Sequence, residues 1–319
     1  MKGIAKMTSA GTKVLLCTWL CFCTASADTL YVSTDALNTI WRVDSGGNVS
    51  TFATSASGLD YPNGMALDEQ GNLFVANGLS DTIQEFNSDG GTGTVFATSG
   101  LAAPFCLAFD ETGDLFVGNL GNNTIEEYGP GGTGLVFATA SSGINEPQAL
   151  ALDDAGNLYV ADYNDTILKF TTNGLASTFA TSGLSNPQGL AFDRNGNLYV
   201  ANHGNNTIEV FNPAGQGSVF TSTNLLDQPV GLAFGSSGDL YAASGGSDIL
   251  EFTTNGTGSV FASGVLGAGD MAIQQIPEPT AFLLLALGLL VLALPRALAL
   301  SRRGSLYRPR RHFLTSTTR

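Results

Sequence analysis

Residues 187–208 read PQGLAFDRNGNLYVANHGNNTI, and this stretch decides the fold because variants of it recur along the chain. Its apolar parts are short, rich in β-branched and aromatic residues, and separated by Gly, Asn and Asp, which is typical of strands and tight turns. The central tripeptide, Leu198-Tyr199-Val200, has a counterpart in every copy. The six tripeptides begin at Leu30, Leu73, Leu115, Leu158, Leu198 and Leu240. Spacings of 40 to 43 residues indicate that one repeat is one supersecondary unit.

Each repeat contains four short apolar pieces. In the best-preserved copy they are 189–192, 198–200, 207–211 and 218–220. No stretch between residues 28 and 275 shows a sustained period of 3.6, which excludes a helical solenoid. Six four-stranded sheets arranged in a ring would cover one another and leave only short edges. The sequence therefore predicts an all-β fold, a six-bladed β-propeller.

The phase of the repeats predicts how the ring closes. The repeats start at a second strand, Leu30, and end at a first-strand equivalent, Asp270 to Ile273. We therefore expect the N- and C-terminal strands to share one blade, joined by hydrogen bonds that span the whole sequence.

The turns between the first and second pieces follow a common pattern. They read DEQGN (68–72), DETGD (110–114), DDAGN (153–157), DRNGN (193–197) and, more weakly, GSSGD (235–239). Gly at the fourth place allows a positive φ, and the leading Asp is placed to accept hydrogen bonds from turn amides. These stretches lack the alternating acids and terminal Glu of a helix-loop-helix calcium site, so we interpret them as plain turns.

The repeat resembles the NHL repeat. The match is nearly complete over 187–208, and the resemblance extends over 28–275. WD-type blades fit less well, because this region contains only Trp41 and no Trp-Asp pair. The last copy departs most, with Ala243-Ser244 and Gly269-Asp270 at positions where the other copies carry an Asn or Asp and a Pro.

Residues 1–27 have the features of a secretory signal peptide. Three lysines precede an apolar run at 14–23, and Ala25-Ser26-Ala27 follows. Cleavage there would make Asp28 the first mature residue. One thiol would remain, Cys106, and its apolar surroundings predict a buried small hydrophobe.

Residues 277–319 resemble the PEP-CTERM sorting signal of Gram-negative bacteria that make exopolysaccharide. Pro277-Glu278-Pro279 is followed by an apolar segment at about 281–300, expected to form a transmembrane helix, and by Arg302 and Arg303. The resemblance implies an exosortase as partner, transient anchoring in the inner membrane, and a final location at the cell surface or outside the cell. An ordinary membrane anchor is the alternative.

The charge of the central region excludes one class of partner. Residues 28–276 hold 26 acidic and three basic residues, a net charge of −23. A surface of that sign repels phosphate backbones, so we expect no nucleic-acid binding.

One face of the ring is predicted to carry the binding surface. If the first strands line a central channel, the starts of the first strands and the ends of the second strands lie on the same face. The residues at the starts of the first strands, called lead positions below, are Asn63, Phe105, Gln148, Gln188, Val230 and Asp270. The second-strand ends are Asn77, Asn119, Asp162 and Asn202. Amides and carboxylates suit sugar hydroxyls or peptide groups. The alternative is that these Asn and Asp residues only cap strand ends.

Catalytic residues are not evident. The region has one histidine, His203, which we interpret as a solvated loop residue, and a multi-histidine metal site is excluded. The NHL resemblance includes lyases, but these rely on several histidines. We therefore expect a secreted, non-catalytic, monomeric binding propeller without cofactor, whose partners are exopolysaccharide or surface proteins.

A second resemblance supplies the alternative function. Gluconolactonase-like six-bladed propellers hold one Ca²⁺ in the channel with Glu, Asn and Asp. The corresponding oxygen ligands here would come from Asn119, Asp162, Asn202 and Asp270, whereas no Glu is placed to face the channel. A calcium-dependent lactone hydrolase is therefore the second interpretation.

Overall fold

The computed structural model describes residues 28–275, which fold into six antiparallel sheets of four strands each. Two single 3-10 turns, Ser55–Ser57 and Ala140–Ser142, interrupt the connections. The strands are numbered in chain order, and one strand of each sheet lies nearest the central axis. These inner strands are β4 (Pro62–Leu67), β8 (Pro104–Phe109), β12 (Pro147–Leu152), β16 (Pro187–Phe192), β20 (Pro229–Phe234) and β24 (Met271–Gln274).

The other strands follow outward from the axis in the same order in every sheet. The second strands are β1 (Thr29–Thr34), β5 (Leu73–Asn77), β9 (Leu115–Asn119), β13 (Leu158–Asp162), β17 (Leu198–Asn202) and β21 (Leu240–Ser244). The third strands are β2 (Thr39–Val43), β6 (Thr82–Phe86), β10 (Thr124–Tyr128), β14 (Thr166–Phe170), β18 (Thr207–Phe211) and β22 (Asp248–Phe252). The outer strands are β3 (Val49–Thr54), β7 (Thr94–Ala97), β11 (Gly134–Ala138), β15 (Ala176–Ala180), β19 (Gly217–Thr221) and β23 (Gly258–Ser263).

The sheets form a closed ring. Each inner strand contacts the inner strand of the next sheet, in the cyclic order β4, β8, β12, β16, β20, β24 and back to β4. The expected six-bladed β-propeller is therefore confirmed. Blades are named below by their inner strands.

The chain closes this ring with its own two ends. The β24 strand pairs with β1, in a register that runs from Thr29 opposite Gln274 to Val32 opposite Met271. The side-chain amide of Gln275 also donates to the backbone carbonyl of Phe234 in the neighbouring blade, at 2.8 Å. The prediction that terminal strands share one blade is confirmed.

Aromatic rings hold neighbouring blades together. Phe74 on β5 makes edge-to-face contacts with Phe96 of its own blade, at 5.0 Å between centroids, and with Phe109 of the next blade, at 4.9 Å. Tyr159 and Tyr199 repeat this arrangement two and three blades further on. Pairs of this kind add about 0.5–1.5 kcal/mol beyond the burial of their area. The repeated aromatic of the central tripeptide is thus an interblade contact.

The acidic turns are plain turns, as their sequence predicts. In the β16–β17 connection, Asp193 Oδ1 accepts hydrogen bonds from the backbone N–H groups of Asn195 and Asn197, at 2.9 and 2.8 Å. Gly196 has a φ of 77°, which only glycine adopts without strain. The Asp side chain is therefore used within its own turn.

A second side-chain contact repeats between blades. In five blades the turn between the second and third strands ends with an Asn or Asp of positive φ. Its side-chain oxygen accepts a hydrogen bond from the backbone N–H of the residue before the proline of the next blade. Asn206 Oδ1, for example, accepts from the N–H of Gln228 at 2.8 Å. The other acceptors are Asn38, Asp81, Asn123 and Asp165. Ser247 takes this position before the closing blade.

Two predicted segments lie outside the described residues: the signal peptide at 1–27 and the sorting signal with its apolar helix at 277–319. Within residues 28–275, no helix is long and apolar enough to cross a bilayer.

Candidate functional site

A cavity of about 300 Å³ lies on the axis of the ring, and the inner strands supply its wall. Each blade contributes its lead residue to this wall. In five blades the lead residue directly follows the proline that begins the inner strand. The residues brought together in this way are Asn63, Phe105, Gln148, Gln188, Val230 and Asp270. All six lead positions therefore line one cavity.

Asp270 supplies a carboxylate to this wall. Its Oδ2 accepts a hydrogen bond from the backbone N–H of Met65 in the next blade at 2.8 Å, and its own N–H donates to Ser33 Oγ at 3.1 Å. Burial raises the pKa of the Asp270 carboxyl to about 6, although the N–H groups of Met65 and Met271 stabilise the charged form. The group therefore carries most of a negative charge at neutral pH.

The other five lead positions are neutral. The Gln148 side chain is buried and donates from Nε2 to the carbonyl of Glu146 at 3.0 Å, which fixes its orientation. Asn63, Gln188 and Phe105 are partly exposed. Among the described residues that line the cavity, none is Lys or Arg.

His203 also lines the cavity, which corrects its interpretation as a solvated loop residue. It is the residue directly after β17, and its side chain is partly buried. Asn186 Nδ2 lies 3.3 Å from His203 Nδ1. Burial lowers the pKa of His203, and the charge of Asp227 opposes this only in part. The imidazole is therefore neutral at neutral pH.

Cys106 is buried at the cavity wall, as expected from its apolar surroundings. Its side chain is 4% exposed, and Sγ lies 3.5 Å from the carbonyl oxygen of Pro147. Burial raises the pKa of the thiol well above its usual range, and the charges of Asp270 and Asp162 raise it further. A protonated, enclosed thiol is a poor nucleophile.

The ends of the second strands do not line the cavity, which corrects their assignment to the binding face. The side chains of Asn77, Asn119 and Asn202 are fully buried. Asn119 Oδ1 accepts from the N–H of Ala102, and Nδ2 donates to the carbonyl of Gly100 and to Thr124 Oγ1, each at 3.1 Å. The other two amides make the same three contacts. Their role is to hold the connection that leads into their own blade.

Asp162 occupies the same position in its blade with a carboxyl in place of an amide. Its side chain is fully buried, and neither oxygen has a hydrogen-bond partner of good geometry. Burial raises the pKa of Asp162 to about 7, opposed only by the backbone N–H of Asn145. Gly143 precedes Asp162 by 19 residues, as Gly100 precedes Asn119, and in the Asn119 blade the carbonyl of that glycine accepts a hydrogen bond from the amide. A carboxyl in this position is able to donate to such a carbonyl only when it is protonated.

These positions bear on the expected calcium ligands. Of Asn119, Asp162, Asn202 and Asp270, only Asp270 lines the cavity. No cluster of three or more His, Cys, Asp or Glu side chains placed to hold a metal ion occurs within residues 28–275.

Comparison with known proteins adds to this picture. Residues 184–211 match the family model described as the NHL repeat, over the segment that forms β16 to β18. The chain carries an NHL repeat. Together with the six closed blades, this makes the fold a propeller of the NHL type. No curated protein matches the sequence.

Solved structures resemble this NHL propeller at low sequence identity. A chain of a nidogen/laminin complex is 20% identical with a TM-score of 0.68, and the match covers 77% of this chain and 98% of that one. A streptogramin B lyase is 19% identical with a TM-score of 0.53, over 79% and 75% of the two chains. A catalytically inactive virginiamycin B lyase from Staphylococcus aureus, with quinupristin, is 16% identical with a TM-score of 0.58, over 76% and 86%. These likenesses concern the fold alone.

Proposed function

We propose that this NHL propeller is a non-catalytic binding protein of the bacterial envelope or exopolysaccharide matrix, and that its axial cavity takes a hydroxyl-rich segment of polysaccharide. The observation that carries the proposal is the wall itself, where the blades present three side-chain amides, an aromatic ring and a carboxylate to one cavity. The cavity, at about 300 Å³, is at the lower end of small-molecule sites, which suits a short oligosaccharide segment.

The chemistry of the wall matches sugars in two ways. An amide group offers a donor and an acceptor together, as a hydroxyl does, so Asn63 and Gln188 are able to bind adjacent hydroxyl groups. The apolar face of Phe105 and the side chain of Val230 suit the C–H face of a pyranose ring. Because the amides stand on strands of a closed ring, little conformational entropy is lost when a ligand binds.

The state of the Cys106 thiol supports binding rather than turnover. Its pKa is raised well above the usual range by burial, and a protonated, enclosed thiol is a poor nucleophile. Two of the structures that this fold resembles are lyases, so the second candidate is catalysis at the same cavity, including the calcium-dependent lactone hydrolysis considered above.

Binding and turnover are separated by one set of measurements. We expect the purified protein to bind oligosaccharides prepared from matrix polysaccharide. Asn63→Ala with Gln188→Ala should weaken binding about tenfold or more, since each lost hydrogen bond costs about 1 kcal/mol. Gln70→Ala is the matched control, because Gln70 is an exposed amide on a turn at the opposite end of the blades. Isothermal titration measures the affinities, and mass spectrometry of the oligosaccharide after incubation shows whether it has been converted.

Two outcomes of these measurements would contradict the proposal. If a lactone or quinupristin is converted in the presence of calcium, and the double variant abolishes that conversion, the cavity is a catalytic site. If the Gln70→Ala control weakens binding as much as the double variant, the ligand binds elsewhere.

We also propose that the protein is exported and processed at both ends. The support is the order of features at 1–27 and at 277–319, which includes Pro277-Glu278-Pro279 and the arginines after the apolar segment. An exosortase is the expected partner. Mass spectrometry of the protein recovered from culture is expected to give Asp28 as the first residue and a C-terminus near Pro277. Recovery of the intact chain from the cell interior would contradict this proposal.

A further inference from the structure

The wall of the cavity is not six-fold symmetric, and the difference is concentrated in the closing blade. In the other five blades a proline precedes the lead residue, whereas Gly269 precedes Asp270. Gly267 and Gly269 both line the cavity, and neither has a side chain that could cover the Asp270 carboxylate.

The charges on this side are all negative. Asp270 is the one lead residue with a charge, and Asp35 of the same blade lines the cavity as well. Ser33 lies on β1, two residues before Asp35, and its Oγ accepts a hydrogen bond from the backbone N–H of Asp270 at 3.1 Å. No described Lys or Arg lines the cavity, and burial lowers the pKa of the His203 imidazole two blades away. Nothing on the wall therefore neutralises Asp270.

A carboxylate in this position favours a cationic ligand. Asp270 Oδ2 is fixed by the N–H of Met65, so the group is held in place before any ligand arrives. A charge-assisted hydrogen bond in a partly desolvated site is about twice as strong as a neutral one. The side-chain amides of Asn63, Gln148 and Gln188 line the same cavity and are suited to hydroxyl groups of the ligand. The two requirements together describe a sugar that carries an amino group.

We propose that the cavity selects amino sugars, with Asp270 binding the protonated amine and the wall amides binding the hydroxyl groups. This inference rests on the proposed function, because it names the ligand class of the same cavity. It excludes N-acetylated sugars as preferred ligands, since acetylation removes the positive charge.

The test compares a glucosamine tetramer with its N-acetylated counterpart, using the whole purified protein and isothermal titration. We expect the amine form to bind about tenfold more tightly. Asp270→Asn should remove this preference while retaining the acceptor for Met65. The affinity of the unaltered protein for the amine form should pass through a maximum above about pH 6, where Asp270 is ionised and the amine is still protonated.

The control separates local from overall charge. Asp154→Asn removes one exposed carboxylate from the β12–β13 turn, at the opposite end of the blades. It should leave the preference unchanged; an equal loss in both variants would assign the preference to the overall negative charge and overturn the inference. Thermal unfolding of each variant confirms that both are folded.

The remaining outcomes distinguish this inference from the proposed function. Equal affinity for the two tetramers in the unaltered protein overturns the amino-sugar inference and leaves saccharide binding standing. Binding of neither tetramer, with binding of a lysine tetrapeptide, overturns both and points to a protein partner.

Discussion

A disulfide between the two ends of the ring, made by Thr29→Cys with Gln274→Cys, should raise the free energy of unfolding by about 5 kcal/mol relative to the reduced variant. The two residues face each other in the β1–β24 pair, where Cα separations of about 4.5–5.5 Å suit a disulfide. The bond would close a loop of nearly the whole propeller, and loop length sets the entropy removed from the unfolded chain. Denaturant unfolding with and without reductant measures the difference.

The matched control is a disulfide of the same kind in a local hairpin. Arg42 and Ser50 are exposed and paired between β2 and β3, so Arg42→Cys with Ser50→Cys closes a short loop only. We expect a gain of about 2–3 kcal/mol for it. Equal gains for the two disulfides would show that the ends of the chain are already held together in the unfolded state, or that the β1–β24 pair does not close the fold.

Replacement of Asp162 by Asn should stabilise the protein at neutral and higher pH. The folded state favours the protonated acid, because the pKa of Asp162 is raised from its ordinary value near 3.8 to about 7. The contribution of Asp162 to the free energy of unfolding is therefore complete below about pH 4 and declines as the pH rises toward 7. The decline is about 1.4 kcal/mol per pH unit and as much as about 4 kcal/mol in all. The Asn side chain has no such dependence and supplies the missing donor.

The reverse substitution gives the matched variant. Asn202→Asp places a carboxyl among the contacts that the Asn202 amide now makes with Ser185, Gly183 and Thr207. It should destabilise the protein above pH 7 and recover stability in acid. Unfolding free energies are measured from pH 4 to pH 8, and the differences between variants remove the contributions of other carboxyl groups. Identical pH profiles for the unaltered protein and Asp162→Asn would contradict a buried neutral acid.

The repeat made the fold predictable to the level of blade number and closure. A period of 40 to 43 residues, four apolar pieces in each unit, and the phase of the first and last pieces together specify the ring and its shared blade. The lead positions were predictable for the same reason, because a strand register that repeats brings equivalent residues to the same level.

The functions of single residues were less predictable, because their partners lie in other parts of the chain. The sequence predicts Asn119 at the binding face, whereas its partners Gly100 and Ala102 come from the connection before its own blade. A signal was present, since a Gly precedes each such Asn or Asp by 19 residues in four blades. The sequence of a short loop predicts a solvated His203, because it does not show which residues of the loop line the cavity.

The central claim is that the axial cavity binds saccharide without converting it, and a crystal structure of the protein soaked with the glucosamine tetramer tests this most directly. We expect an intact sugar in the cavity, with hydroxyl groups on Asn63 and Gln188 and the amine on Asp270. A sugar bound only on the outside of the ring, or a cleaved product in the cavity, would contradict the claim.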